Sequence, residues 1–202
     1  MGREVACSGV FNGSASEGKA QLETDFVLWR GEERVKFPFA SLASVDVRDG
    51  WLHLQGADGS LALHLGSPDA ERWAHAIEHP KTIVDKMGLK AGMRVSLLGV
   101  DDPDFLRLVA AVGSDRSSRK RKDSDAIVIR VERARDLQKT LGLESYIKRN
   151  GMIWVVSPKG KKDFNENHIY AHMRSLGLKD VKTARFSATH TANKFVIPKD
   201  RR

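Results

Sequence analysis

The hydrophobic pattern of the chain changes character near residue 80. Before that point, apolar and polar residues alternate in short segments, as in Leu61, Leu63 and Leu65, and pairs such as Asn12-Gly13 and Asp49-Gly50 separate the segments. This alternation is typical of strands with one buried and one wet face. It predicts about seven antiparallel strands, which are EVACSGVF, AQLE, FVLWR, RVKFPF, ASVDV, WLHLQ and SLALHL, with SASEGK as a loop.

A helix is predicted to close this region. Ser67-Pro68-Asp69 has the composition of a helix start, and Ala70, Trp73, Ala74 and Ile77 then form one apolar stripe. Seven strands and one closing helix resemble the pleckstrin-homology-like superfold, in which the helix caps a bent sandwich or barrel. We therefore predict that residues 1–80 form a PH-like β module.

Domains with this resemblance bind lipids or peptides. A phosphoinositide site needs clustered cations in the early hairpin loops, and this region offers only Lys19 and Arg30, with Glu17, Glu32 and Glu33 alongside. We therefore predict no membrane contact for the β module and favour an unidentified protein partner.

Beyond residue 80, buried strands alternate with helices. The nearly unbroken apolar runs MRVSLL, DAIVIRV and MIWVVSP predict interior parallel strands, and two further strands, KTARFSAT and NKFVIP, close the chain. The intervening helices are predicted in KTIVDKMG, DFLRLVAAV, ARDLQKTLGLESYIKRNG and ENHIYAHMRSLG, the third of them interrupted by Gly142. Residues 81–202 should thus form a reduced Rossmann-like α/β sheet that ends in an antiparallel hairpin.

This order resembles the C-terminal half of class I methyltransferases. Compared with a full methyltransferase sheet, the second and third strands are replaced by the basic loop at residues 114–124. Nucleotide and S-adenosylmethionine binders carry a Gly-rich turn after the first strand. Here the turn from Gly99 to Asp104 holds one glycine and three carboxylates, which are those of Asp101, Asp102 and Asp104. We therefore predict that no cofactor is bound.

The whole chain resembles a bacterial family with a reduced methyltransferase-like domain, known as a domain of unknown function. The segments that carry this resemblance are KMGLKAGMRVSLLGV, DAIVIRV, GMIWVVSPKG and NKFVIP. They are structural motifs without a catalytic signature, so the resemblance implies a fold and no activity.

Charge separates the two regions as sharply as the hydrophobic pattern does. Residues 1–80 hold 7 Lys and Arg against 12 Asp and Glu, whereas residues 81–202 hold 27 against 14. Two interpretations remain open: the basic region offers a surface to nucleic acid or another polyanion, or the two regions attract each other. The single cysteine, Cys7, excludes an intrachain disulfide, and no membrane-spanning run or signal sequence is visible, so a cytoplasmic location is expected.

Candidate ligand-binding residues follow the predicted parallel strands. Ligands of open α/β sheets bind at the carboxyl ends of the strands. Arg130 and Lys159 could hold an anion there, but a solvated turn whose lysines pair with nearby carboxylates is the alternative. The candidates at this edge are Asp101, Asp102, Arg130, Glu132, Ser157, Lys159 and Lys161.

The run of cations in the loop at 114–124 is a second candidate site. Its polyanion candidates are Arg116, Arg119, Lys120, Arg121 and Lys122, and a mobile surface loop is the alternative interpretation. No aromatic residue is interleaved for base stacking, so the run would bind phosphates without sequence preference.

Two histidine pairs at helical spacing, His75 with His79 and His168 with His172, lack a third ligand, so no metal site is predicted.

These observations favour a non-enzymatic interaction or regulatory protein that has lost cofactor binding. Two alternatives remain open. The first is a divergent transferase that binds a small molecule at the carboxyl edge through Lys159 and Arg130, and the second is nonspecific nucleic-acid binding through residues 116–122.

Overall fold

The computed structural model describes residues 3–202, which divide into two compact units, one ending at Lys81 and one spanning Thr82–Arg202. The chain is a mixed α+β protein with one sheet in each unit. Among the described residues, no helix is both long and apolar enough to cross a membrane.

The first unit is a curled sheet of seven antiparallel strands followed by one helix, as predicted. The strands lie in the order β4-β3-β2-β1-β7-β6-β5. They are β1 (Arg3–Phe11), β2 (Ser14–Leu22), β3 (Phe26–Arg30), β4 (Arg34–Pro38), β5 (Leu42–Arg48), β6 (Trp51–Gly56) and β7 (Gly59–His64), and helix α1 spans Ser67–Glu78.

The prediction of a loop at SASEGK was wrong, because these residues form the first two thirds of β2. Asn12 and Gly13 both have positive φ, as the tight turns of β-hairpins require, so strand pairing begins at once with Phe11 opposite Ser14. The first six residues of β2 are at least partly exposed and mostly polar, so they show no hydrophobic pattern from which a strand could be predicted. Backbone pairing, rather than side-chain burial, holds this part of β2.

Trp29 belongs to the buried core of the first unit. Its side chain is 1% exposed, and a Cβ atom built on Gly9 of β1 would lie 2.5 Å from Cζ2 of the Trp29 indole. Glycine in β1 therefore leaves the space that the indole occupies. Helix α1 contributes Ala70, Trp73 and Ile77 to the same core.

The second unit is a mixed sheet of six strands in the order β12-β13-β11-β10-β8-β9. Strands β9, β8, β10 and β11 run parallel, and β13 and β12 form an antiparallel hairpin beside β11, as predicted. The strands are β8 (Arg94–Leu98), β9 (Asp115–Ser117), β10 (Ser124–Arg130), β11 (Ile147–Pro158), β12 (Lys179–Arg185) and β13 (His190–Val196); the helices are α2 (Ile83–Met87), α3 (Pro103–Ala111) and α4 (Glu166–Ser175).

Alternating residues of the central strands build a core on each face of this sheet. Val128 and Trp154 belong to one core with residues of α2 and α3. Ile127 and Ile153 belong to the other, which includes α4. Because both faces are covered, the central strands are apolar along nearly their whole length, which is the pattern that made them legible in the sequence.

Two predictions for this unit were wrong. Residues 134–151 contain no α-helix: the predicted interruption at Gly142, which has φ 70°, separates two short 3₁₀ helices, Ala134–Thr140 and Leu143–Tyr146, and β11 already begins at Ile147. The basic loop does not replace the outer strands completely either, since Asp115–Ser117 forms β9 parallel to β8.

Candidate functional site

The parallel strands β8, β10 and β11 end on the same side of the sheet, and the polar residues that follow them come together there. We call this region the carboxyl edge. Arg130, the last residue of β10, forms ion pairs with Asp101, which follows β8, and with Glu132. The structure therefore brings these three candidate residues into contact with one another.

Arg130 is held between two carboxylates. Its Nε lies 2.5 Å from Oε1 of Glu132, and its Nη1 donates to Asp101. The hydrogen bond to Glu132 raises the pKa of Arg130, with a further contribution from Asp101. Burial opposes ionisation of Glu132, but hydrogen bonds from Arg130 and His190 outweigh it, so the pKa of Glu132 is lowered.

His190 completes this network and was not predicted from the sequence. Its Nε2 lies 3.0 Å from Oε1 of Glu132, its Nδ1 lies 2.9 Å from Oγ1 of Thr189, and its side chain is 15% exposed. The predicted closing strand started at Asn193, three residues late. A strand antiparallel to β11 must start at the carboxyl edge, so the hairpin itself was the signal that could have found His190.

The two predicted lysines of this edge make different contacts. Lys161 Nζ lies 3.3 Å from the backbone oxygen of Glu132 and 3.8 Å from its Oε2, so this lysine joins the network. Lys159 Nζ instead donates to the backbone oxygens of Ser187 at 2.6 Å and Ala188 at 3.4 Å. Burial, together with the positive charge of Arg185, lowers the pKa of Lys159.

Asp102 acts as the N-cap of α3 rather than as a surface ligand. Its Oδ1 accepts a hydrogen bond of 2.9 Å from the backbone N–H of Phe105. Asp104 lies in the first turn of the same helix, and the Asp101 side chain is 80% exposed just before it. Carboxylates thus surround the helix end at which an anionic ligand group would otherwise find free N–H donors.

Ser157 does not present its hydroxyl to the surface of the edge. The residue is 1% exposed, lies opposite Thr191 of β13, and its Oγ has no hydrogen-bond partner among residues 3–202. The seven candidates therefore separate into a charged network, a lysine bound to a backbone loop, a helix cap and an interior hydroxyl.

The five basic candidates of the loop at 116–122 also separate by their contacts. Arg121 Nη1 binds both carboxylate oxygens of Asp115, at 2.9 and 3.0 Å, and Arg116 Nη1 donates to the backbone oxygen of Leu106 at 3.1 Å. Lys122 Nζ donates to the backbone oxygen of Ser145 at 2.8 Å. Arg119 and Lys120 are exposed and form no ion pair in the described part of the chain.

The histidine pairs are engaged in other contacts. His75 and His79 stack with ring centroids 4.6 Å apart, and His172 Nε2 lies 2.9 Å from Oγ1 of Thr140. Residues 3–202 contain no cluster of three or more His, Cys, Asp or Glu side chains arranged to hold a metal ion.

Solved structures that resemble the chain include methyltransferases. A SAM-dependent methyltransferase from Aquifex aeolicus is 12% identical, with a TM-score of 0.47, over 57% of this chain and 88% of the other. A putative type 11 methyltransferase from Sulfolobus solfataricus is 10% identical, with a TM-score of 0.44, over 58% and 90%. A SAM-dependent O-methyltransferase from Thermotoga maritima is 10% identical, with a TM-score of 0.41, over 96% and 93%.

The chain matches no protein-family model and no curated protein sequence. The likenesses to solved structures are too distant to bear on function, so the functional proposal rests on the geometry of the site.

Proposed function

We propose that the chain is a non-enzymatic interaction protein, in which a methyltransferase-like α/β unit has lost its cofactor site and a PH-like unit contacts a protein partner. The observation that carries this proposal is the network of Asp101, Arg130, Glu132 and His190 at the carboxyl edge. Arg130 is paired with Asp101 and Glu132, and His190 contacts Glu132, so a ligand that bound there would have to break contacts that are already formed.

The turn after β8 supports the loss of a cofactor. A bound methyl donor or nucleotide needs backbone that can approach it closely, which is the role of glycines in such turns. In this chain Gly99 is followed by the buried Val100 and by Asp101, whose carboxylate pairs with Arg130. A methyl donor with its own carboxylate, or a nucleotide phosphate, would meet further negative charge at the start of α3.

The contacts of the first unit support a protein partner over a lipid one. The two cations of the early hairpins, Lys19 and Arg30, both pair with Glu4, at 3.2 and 3.4 Å. A phosphoinositide headgroup would have to compete with this carboxylate for both. We therefore keep a peptide or protein surface as the proposed partner of this unit.

A second candidate function is a divergent transferase that acts at the carboxyl edge. The contact between His190 and Glu132 favours it, because a carboxylate that orients an imidazole is a common arrangement in general acid–base catalysis. Lys159, whose pKa is lowered by burial, would supply a further polar group for an anionic substrate. This candidate requires a ligand that displaces part of the network.

Isothermal titration calorimetry of the full chain with S-adenosylmethionine, S-adenosylhomocysteine and nucleotides tests the two candidates. The interaction protein is expected to give no saturable heat with any of them. Saturable binding that is lost in Arg130→Ala and Lys159→Ala, and retained in the exposed control Lys162→Ala, would replace the first proposal with the transferase.

A further inference from the structure

Tyr146 lies against the basic loop, although the two are separated by more than twenty residues of sequence. The ammonium groups of Lys120 and Lys122 lie 4.7 and 4.3 Å from the centroid of the Tyr146 ring, within the range of cation–π attraction. Tyr146 directly precedes β11, so this arrangement stands at the amino ends of the parallel strands, opposite the carboxyl edge. The loop thus has the aromatic neighbour that its own sequence lacks.

The contacts of Arg121 hold the loop in one conformation. The Arg121 backbone N–H donates to Oγ of the buried Ser96 at 3.2 Å, and Oγ of the buried Ser124 donates to the backbone oxygen of Arg121 at 2.7 Å. With the Arg121 side chain bound to Asp115, these bonds fix the backbone of Arg121, which lies between Lys120 and Lys122. The cations that remain exposed are therefore presented by an ordered segment.

A wide bulge in β11 brings more positive charge to the same end of the sheet. Ser124 pairs with Ile147 and Ala126 pairs with Met152, so residues 148–151 have one residue, Asp125, opposite them. Lys148 neutralises Asp125 at 2.6 Å, whereas Arg149 is exposed and forms no ion pair among residues 3–202. Residues 115–125 and 148–149 together hold seven Lys and Arg against three Asp.

We propose that this amino-edge surface, formed by Arg119, Lys120, Lys122, Tyr146 and Arg149, binds the phosphodiester backbone of nucleic acid. The inference goes beyond the proposed function, whose protein partner contacts the first unit, because it names a partner for the second unit. Exposed ammonium and guanidinium groups are the usual phosphate contacts, and counterion release makes such contacts favourable at low salt. The ring of Tyr146 holds Lys120 and Lys122 at fixed positions, which reduces the side-chain entropy that binding costs.

A protein partner fits this surface less well. Protein interfaces have a core that is depleted of charged residues and enriched in apolar and aromatic ones. The amino-edge surface offers four cations and one partly exposed ring. Its chemistry suits a polyanion, and contact through phosphates alone implies no preference for base sequence.

Fluorescence anisotropy of the full chain with labelled thymidine oligomers, RNA oligomers and a DNA duplex tests the inference. The triple variant Arg119→Gln/Lys120→Gln/Lys122→Gln removes three charges from the surface. It should weaken binding to all three probes at least tenfold at low salt and reduce the slope of log K against log salt by about 3. The control Lys162→Gln/Lys179→Gln/Lys199→Gln changes net charge equally through exposed residues outside the surface and should retain most of the affinity.

Substitutions of Tyr146 test the same surface without a change in net charge. Tyr146→Leu should weaken binding by removing the ring that positions the two lysines, and Tyr146→Phe should restore it. Melting curves of each variant check that the chain still folds. An absence of binding by the wild-type chain at low salt, or an equal loss in both triple variants, would overturn the inference, while saturable binding of S-adenosylmethionine would overturn only the proposed loss of the cofactor site.

Discussion

His190 Nε2 lies 3.0 Å from Oε1 of Glu132, so the first residue of the last strand, β13, contacts the segment that follows β10, 58 residues earlier in the chain. The contact exists because β13 runs antiparallel to β11 and therefore begins at the edge where β10 ends. Arg130 binds the same carboxylate from β10. The carboxylate of Glu132 therefore connects β10 with β13 at the carboxyl edge.

Replacement of Glu132 by Gln should lower stability at neutral pH and have little effect in acid. The folded state lowers the pKa of Glu132 below its ordinary value of 4.5, so the stabilisation is fully present above that value and is lost as pH falls through the lowered pKa. Since the side chain is 38% exposed, the difference in unfolding free energy should be about 1 kcal/mol at neutral pH. Urea titrations of both proteins at several pH values measure it.

Glu71→Gln is the matched control for this change. Glu71 is exposed in α1 and forms no ion pair in the described chain, so its replacement should leave the unfolding free energy nearly unchanged at every pH. A Glu132→Gln deficit that persisted unchanged at low pH would show that the lost stability comes from packing rather than from the carboxylate charge.

Asp102→Ala should destabilise the second unit, because the variant loses the cap of α3. The bond from Phe105 N–H to Asp102 Oδ1 satisfies one of the free donors of the helix end, and loss of such a cap costs about 1 kcal/mol. Asp102→Asn keeps an acceptor in the same place and should remain near wild type. Asp104→Ala, in the same turn, removes only an exposed ion pair with Arg107 and should therefore cost less than Asp102→Ala; thermal melting compares the three variants.

The hydrophobic pattern predicted the strands correctly wherever burial determines the residue type. The two-residue alternation around Leu61 and Leu63, and the unbroken apolar run of β10, both reflect faces that must be dry. It failed where backbone pairing alone holds the strand, as at Ser14 to Lys19, and in residues 134–151, where the predicted helix is replaced by two short 3₁₀ helices and the start of β11.

The candidate sites likewise include contacts that the sequence predicts and contacts that it does not. Strand ends placed Asp101, Arg130 and Glu132 together, because parallel strands share an edge and the sequence shows where each strand ends. The contact of Tyr146 with Lys120 and Lys122 could not be predicted in this way, since it depends on the path of an irregular loop. Loop paths are set by individual contacts such as Arg121 with Asp115, which leave no periodic signal.

Gly9→Ala should destabilise the first unit by about 1–3 kcal/mol, as expected for overpacking of a core. The added Cβ would lie 2.5 Å from the Trp29 ring, which is buried and has no solvent into which to move. Trp29→Phe removes the part of the ring that would clash, so Gly9→Ala should cost less in that background. Equilibrium unfolding of the four proteins of this cycle gives the coupling energy, and additive effects would contradict the proposed contact.

Gly151→Ala should lower both the unfolding free energy of the second unit and the affinity of the amino-edge surface for nucleic acid. Alanine is ordinarily better than glycine within a strand by about 0.5–1 kcal/mol. Here its Cβ would lie 2.9 Å from the backbone oxygen of Lys148 and 3.0 Å from that of Ser124, so the bulge would have to open. We expect a loss of about 1–3 kcal/mol in the free energy of unfolding by urea, together with weaker oligonucleotide binding, since Arg149 lies in this bulge.

Asn150→Ala, an exposed neighbour in the same bulge, is the control and should change the unfolding free energy by less than about 0.5 kcal/mol. If Gly151→Ala were as stable as the wild type and bound nucleic acid equally well, the close packing of the bulge would not be what positions Arg149.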